Sequence, residues 1–541
     1  YIGVVFSIRD TYWDYVLPSD IRERTLVIKH KGFIGNEYEA LKLFCEFYNL
    51  DLPKFPILSP EFSNPLFLKL CCSGISNSGQ KDFPSGFNGI YKVFENYIDS
   101  IYIKIQSKPE YKLRRRIVWE AIDCFLNQCS ENQKTYLEIE ECVDIFSEKF
   151  SITPNLLQDL IEEGLFIKSI TNKYHQNSNG NYLEEPVEIL YFAYQRLGDY
   201  LTAKKELDLL GNIDNIKAAF QPDGKFGRIF NDSNSYYSYT GLLEAFSVIL
   251  PEKHTLEIYE VYDWLFNKFL NLIENDFHEL QIRYNCRYIT NDLFLNSLKW
   301  RSIESIDSQK ITDYFQTLKF QHSMLDYDDY LKLLIELSCV ENHPLNSDRL
   351  FNILVGITMA DRDAFWQKFV HNHSQKDDEG NAFCLKRLLD FAWQSGVSDI
   401  ISDETCRLAG QALVWVLAST DRPLRDKATK ALVNLFEQKP IVLLEILIKF
   451  KNVNDLYILE RLYAVVYGVV LRTNSNDDIA KLAQYTYNII FKQEKPIKHI
   501  LLRDYARNII EYALYKKLNI KVDVEKIRPP YKSRIPKIPT I

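Results

Sequence analysis

Methionine occurs only twice in 541 residues, and glycine and proline 19 times each. So little glycine and proline excludes a chain built from tight turns, collagen-like repeats or low-complexity linkers. Ten cysteines are present, none in C-x-x-C spacing, which removes the common zinc-ribbon and thioredoxin-like patterns. Cys71 and Cys72 are neighbours, and Cys124 and Cys129 fall on an apolar helical stretch, so buried thiols of a reducing cytosol are expected. No apolar run reaches the ~18 residues of a membrane span, and no signal peptide opens the chain. A cytoplasmic location without a membrane partner follows as the expectation. Net charge is −8 with both signs interleaved, whereas a broad nucleic-acid surface needs a concentrated basic field. The one basic cluster, Lys112-Leu113-Arg114-Arg115-Arg116, reads as a solvated helix face.

Catalytic patterns are missing as well. There is no H-E-x-x-H, no G-x-S-x-G and no phosphate loop of the form G-x-x-x-x-G-K-[ST]. The nearest stretch to the last, Gly74 to Asp82, has an extra residue before Lys81 and an acid after it, and reads as a loop. His371 and His373 lack a third metal ligand at a convincing spacing and read as part of an exposed loop. No catalytic residue and no metal ligand is assigned, and this chain is not expected to hydrolyse ATP by itself.

What is present is an ordinary apolar fraction of 46 % with 34 Tyr and 33 Phe, enough for three or four packed, largely helical domains. Residues 2–8 and 25–29 are short apolar runs that read as buried parallel strands. Arg9 then stands at the carboxyl end of a strand, where open α/β sheets bind ligands. Residues 32–50 read as an amphipathic helix with Leu41, Phe44, Cys45 and Tyr48 on one stripe. Asn64-Pro65-Leu66 reads as a helix start, because Pro65 near the first helical position has no N–H to lose.

Residues 113–203 read as a winged helix. Two helices (113–128 and about 137–150) precede a third, with Thr153 as N-cap, Pro154 at the first position and Gly164 as the left-handed stop. Phe166–Thr171 and Val187–Phe192 alternate like strands around a polar loop, NSNGN. The third helix carries Asp159, Glu162 and Glu163 and no base, which argues against insertion into a DNA groove. From about residue 331 the helical pattern becomes regular. Arg425, Arg461 and Arg503 are separated by 36 and 42 residues, near the ~40–47 of HEAT or armadillo repeats. Each opens an R-x-x-A-x-x pattern in which a small Ala allows close helix approach. Weaker units are expected at 331–366 and 381–419.

The organising stretch is Phe192-Ala193-Tyr194-Gln195-Arg196-Leu197-Gly198-Asp199-Tyr200-Leu201-Thr202-Ala203. It resembles the F-x-H-x-x-x-x-E-Y-x-A signature of NACHT-type STAND NTPases. Together with SIRDTY, NPLFLK and the repeat segments, in that order, it makes the chain similar to the C-terminal two-thirds of a bacterial antiviral STAND NTPase of the Avs (AVAST) type. The resemblance implies a fold that is mainly α: a C-terminal remnant of an α/β NTPase core (1–60), a small helical domain (61–112), a winged-helix domain (113–210), a helical connector (211–330) and a HEAT-like α-solenoid (331–541). It implies nucleotide contacts at Arg9 (the sensor position), at Pro65 and Leu66 (against the adenine), and at Tyr194, which stands where the family has the diphosphate-binding His. A phenol is uncharged near neutral pH, so Arg196 is the expected substitute cation; Asp199 matches the acidic position. ATP or ADP with Mg²⁺ would bind the intact protein, with nothing held tightly by this fragment. The opening at Tyr1, inside an apparent strand, suggests that the phosphate loop and an effector precede it. The implied function is sensing of a phage protein by the repeats, followed by self-association and effector activation, without direct nucleic-acid contact. A HEAT-repeat interaction scaffold and a STAND-type transcriptional regulator are the competing readings.

Overall fold

A computed structural model describes residues 5, 7–8, 12–83, 89–112, 116–132, 134–176, 182–231, 233–264, 289–319, 327–378, 380, 382–394, 396–493 and 496–531. The described chain is mainly helical. Arg9, most of the strand expected over 2–8, the NSNGN loop and residues 113–115 of the basic cluster lie outside the described residues.

The strand expected over 25–29 is not formed. Leu26 and Ile28 are 87 % and 85 % exposed in irregular chain. Among the described residues no strand precedes Leu137, so none of them before that point offers this β-branched run an edge to bond. The helix expected over 32–50 is shorter, α1 (Glu37–Tyr48). Gly32 and Gly35 both take positive φ (72° and 80°), a left-handed backbone that cannot extend a helix. The expected stripe holds: Leu41 and Cys45 are buried, with Phe44 and Tyr48 packed beside them.

Helix α2 (Pro65–Asn77) starts as its sequence dictates. The Asn64 side chain accepts from the Leu66 and Phe67 N–H groups at 2.9 and 3.2 Å, two donors a helix start leaves without partners. Gly74 to Asn77, expected in a loop, form its last turn. Gly74 lies against α3 (Ile90–Ser107), where a Cβ would sit 3.0 Å from the Val93 carbonyl oxygen.

Residues 117–192 form a unit of helix α4 (Ile117–Glu131), strand β1 (Leu137–Glu138), α5 (Ile139–Lys149), α6 (Leu156–Glu162), β2 (Phe166–Gln176) and β3 (Tyr182–Phe192). The sheet is antiparallel in the order β1-β3-β2, with Phe166 opposite Phe192 and Leu137 opposite Leu190. Phe125, Phe166 and Phe192 form its aromatic centre, with centroids 4.7–5.3 Å apart. Gly164 takes φ +84° as expected. Thr153 is not the N-cap: it is buried and its hydroxyl donates to the Phe150 carbonyl at 3.3 Å, so α6 begins at Leu156. Asp159 also departs from the expectation. It points inward, accepting from Lys108 at 2.6 Å and from the Tyr111 hydroxyl, while Lys104 pairs with Glu163 at 3.1 Å. The acidic face of this helix is therefore largely neutralised from within.

Helix α7 (Gln195–Leu210) follows β3, and Gly198 lets it fold back onto Phe192, since a Cβ would lie 2.8 Å from that ring. It packs along α9 (Ser233–His254), with the short α8 (Ile213–Ala219) between them in sequence. After α10 (Ser308–Lys319) and α11 (Tyr327–Glu336), the chain builds a two-layer stack. One layer holds α12 (Ser347–Val355), α15 (Asp403–Val414), α17 (Pro440–Phe450) and α19 (Asn476–Thr486). The other holds α14 (Cys384–Trp393), α16 (Arg422–Phe436), α18 (Leu456–Arg472) and α20 (Ile500–Tyr515). Helix α13 (Met359–His373) precedes α14, and Arg387 of α14 reaches back to Glu37 of α1 at 3.0 Å.

The repeat register differs from the arginine spacing. Leu424, Ala428, Leu432 and Leu435 are buried in α16. The same spacing is buried at Ile458, Leu462, Val466 and Val469 in α18, and at Leu502, Ala506, Ile510 and Ala513 in α20. Arg425 and Arg503 are thus equivalent, each lying over a tyrosine ring, Tyr457 and Tyr531, at 4.7 and 4.5 Å. Leu459 fills that place in α18. Arg461 stands two residues further on, where it pairs with Asp426 of the preceding helix at 2.9 Å.

Candidate functional site

The chain between β3 and α7 is held by tight local geometry. The Ala193 N–H bonds the Leu165 carbonyl at 2.9 Å, and α7 begins at Gln195 with Tyr194 in the N-cap position. Tyrosine is a poor cap and makes no side-chain cap bond here. Its ring instead packs between Phe67 of α2 and Phe94 of α3, each at 5.8 Å. The hydroxyl is buried without a hydrogen-bond partner. Burial, then the nearby Glu61 carboxylate, pushes the phenol far above its ordinary pKa, so Tyr194 can only donate or accept as a neutral group.

Two residues on, Arg196 points across to three other segments. It pairs with Glu61, in the 3-10 turn Pro60–Ser63, at 3.1 Å and with Glu244 of α9 at 3.6 Å. Its guanidinium lies 5.3 Å from the Trp300 ring centroid. Burial alone would lower the Arg196 pKa; Glu61 and Glu244 outweigh it and raise it. Glu244 is raised by burial, which its pairing with Arg196 does not overcome. Asp199, one turn along α7, is pushed up to about 7 by burial and by Glu244, against the pull of Arg196. Its carboxylate lies where a side chain on Gly241 would be, 2.0 Å from an added Cβ. Arg196 is the cation paired with Glu61 and Glu244, and Lys299, itself paired with Glu336, adds only a weaker pull on Glu244, an arrangement that favours keeping one carboxyl protonated.

Pro65 and Leu66 head the helix whose next residue, Phe67, touches both Tyr194 and Trp300, the latter at 6.3 Å. The first turn of α2 thus lies beside Tyr194 and Arg196. Pro65 itself packs on Gly32, whose Cβ would come 3.4 Å from its ring and 2.4 Å from the Ser63 carbonyl oxygen. Arg9 is outside the described residues. Sequence reasoning missed Glu61, Glu244 and Trp300; each comes from a distant segment and none carries a local signature. A small cavity of about 40 Å³ adjoins the cluster between Phe62 and Trp300. A larger cleft of about 170 Å³ opens elsewhere, between α5, α6 and the sheet, lined by Val143, Phe146, Leu157 and Ile161.

The histidines at 371 and 373 fall in the last turn of α13 rather than in a loop. His373 is buried, stacks on Phe369 at 4.3 Å and bonds Asp328 at 2.7 Å. Among the described residues no group of three or more His, Cys, Asp or Glu side chains is arranged to hold a metal. The described cysteines are all buried and free, and no described helix is long and apolar enough to cross a membrane. Comparison of the chain with protein-family models, with curated proteins and with solved structures gave no match.

Proposed function

We propose that this chain is the regulatory and sensor part of a STAND-type nucleotide switch acting in anti-phage defence. In this reading residues 117–192 are the winged helix, a reading supported by the helix, strand, helix, helix, strand, strand order and the β1-β3-β2 sheet. The two-layer stack is a HEAT-like solenoid whose extended surface grips a phage protein. Residues 1–60 stand for the remnant of an α/β core. ATP or ADP with Mg²⁺ belongs to a protein that also supplies a phosphate loop, and self-association then activates an effector.

The observation that carries this reading is the position of Tyr194 and Arg196. They sit at the junction between the 117–192 unit and α7, in contact with the α2 start on one side and with α9 and Trp300 on the other. A group bound there would be felt by every neighbouring unit. The test is affinity capture with the full chain from cells infected with a panel of phages. Recovery of one structural or packaging protein from several unrelated phages supports the sensor; recovery of host proteins alone, whatever the infection, refutes it. A plain helical scaffold is the second reading, favoured by the full engagement of Arg196 with the chain's own carboxylates.

A further inference from the structure

Arg196 already holds two anions, both belonging to the protein. We propose that Glu61 and Glu244 keep Arg196 in a self-occupied state, and that a polyphosphate anion enters this site only by exchanging with the Glu61 carboxylate. Anion binding and release of the 60–67 segment are then one event. The inference deepens the nucleotide-switch reading and rests on it only for the identity of the anion.

Charge makes exchange, rather than simple addition, the required route. Arg196 faces Glu61, Glu244 and Asp199, and Lys299, which also acts on Glu244, is already paired with Glu336, so a further anion would meet more negative than positive charge. One carboxylate must leave. Glu244 is fixed within the long α9, whereas Glu61 belongs to a four-residue 3-10 turn on an otherwise irregular stretch. Glu61 is therefore the group that yields.

What remains after Glu61 leaves suits an oxyanion. Arg196 keeps its place by lying on Trp300, and its planar fork matches phosphate oxygens. The Tyr194 hydroxyl, 8 % exposed as a residue and without a partner, supplies a neutral donor. The first turn of α7, a helix of 16 residues, begins beside it without a side-chain cap, and helix starts favour negative charge.

The release has a route outward. The Glu61 carbonyl accepts from the Asn64 N–H at 3.0 Å, and Asn64 caps α2. The Ser63 carbonyl accepts from Phe33 at 2.7 Å, tying the same turn to the residues before α1. Displacing Glu61 thus loosens both the start of α2 and the 32–36 turn.

The experiment uses the full chain with sodium pyrophosphate and tripolyphosphate as probes, by titration calorimetry and by hydrogen exchange of residues 55–67. Glu61→Gln is expected to bind pyrophosphate about tenfold more tightly than wild type, a coupling of ordinary size. Adding Arg196→Gln is expected to abolish that gain. Pyrophosphate should speed exchange of 60–67 in wild type, and Glu61→Gln should show the faster exchange without any anion. Binding of pyrophosphate that is no tighter in Glu61→Gln, or that leaves exchange of 60–67 unchanged, overturns the proposal, as does absence of binding to either protein. If Glu61→Gln fails to fold, Glu61→Asp, which keeps the charge but shortens its reach, must give the same direction of change. An ADP arm separates the two ideas: exchange driven by pyrophosphate, with ADP binding no better, keeps the lock and removes the nucleotide reading.

Discussion

Replacing Asp199 by Asn probes the charge balance around Arg196 most directly. The Asp199 carboxyl is raised from 3.8 to about 7, chiefly by burial. A group that holds its proton more tightly in the folded than in the unfolded chain makes stability fall as pH rises through the interval between the two values. Stability from this residue should therefore decline from about pH 4 to about pH 7 and stay level above. At about 1.36 kcal/mol per pH unit the ceiling is about 4 kcal/mol, and screening of a partly exposed group reduces it to about 2 kcal/mol. Asn is nearly isosteric, fits the same space against Gly241 and never ionises. At pH 8 Asp199→Asn should be the more stable protein by that amount, or about 4–8 °C in thermal midpoint if the melting unit is a domain of ordinary size. Near pH 4 the two should coincide. Thermal melts of both proteins from pH 4 to 8 provide the assay; because Glu244 and Asp199 repel each other, the substitution also relieves Glu244, which acts in the same direction. Equal stability across that range, or a less stable variant at pH 8, would show that Arg196 compensates the ionised Asp199 and would refute the reasoning.

Three further outcomes are expected within the stack. Arg362 is fully buried, with Asp455 at 3.1 Å and Asn454 at 2.8 Å, so Arg362→Met should cost about 3–5 kcal/mol by leaving a buried carboxylate unpaired. Adding Asp455→Asn, which keeps the cap on α18, should recover much of the loss in urea denaturation. Gly410→Ala places a Cβ 2.2 Å from the Phe436 ring and should cost about 1–3 kcal/mol, with Phe436→Leu restoring stability in the double variant. Arg407, then Lys449 and Gln411, hold Asp348 well below its ordinary value of 3.8. Its contribution is full above about pH 4 and disappears as pH falls further. Asp348→Asn should cost about 1–2 kcal/mol at pH 7, and the gap from wild type should narrow in acid denaturation.

Sequence alone determined what depends on a few consecutive residues. The α2 start follows from Asn64 and Pro65, the end of α6 from Gly164, and the β2–β3 pair from the alternation around Phe166 and Phe192. Capping bonds, left-handed glycine and strand periodicity act within one or two turns, so the chain itself carries those signals. Tertiary structure decided the rest. Residues 25–29 look like a strand but run as irregular, exposed chain, with no strand before Leu137 among the described residues. Asp159 looks exposed on its helix but is claimed by Lys108 and Tyr111 from another segment. The recurrence of Arg425, Arg461 and Arg503 suggested one register, whereas burial aligns Leu459 with the outer two. Most of all, the sequence singled out Arg196 but not the carboxylates that occupy it. Glu61, Glu244 and Trp300 reach it from three separate stretches, and only folding sets the distances on which charge and dielectric act.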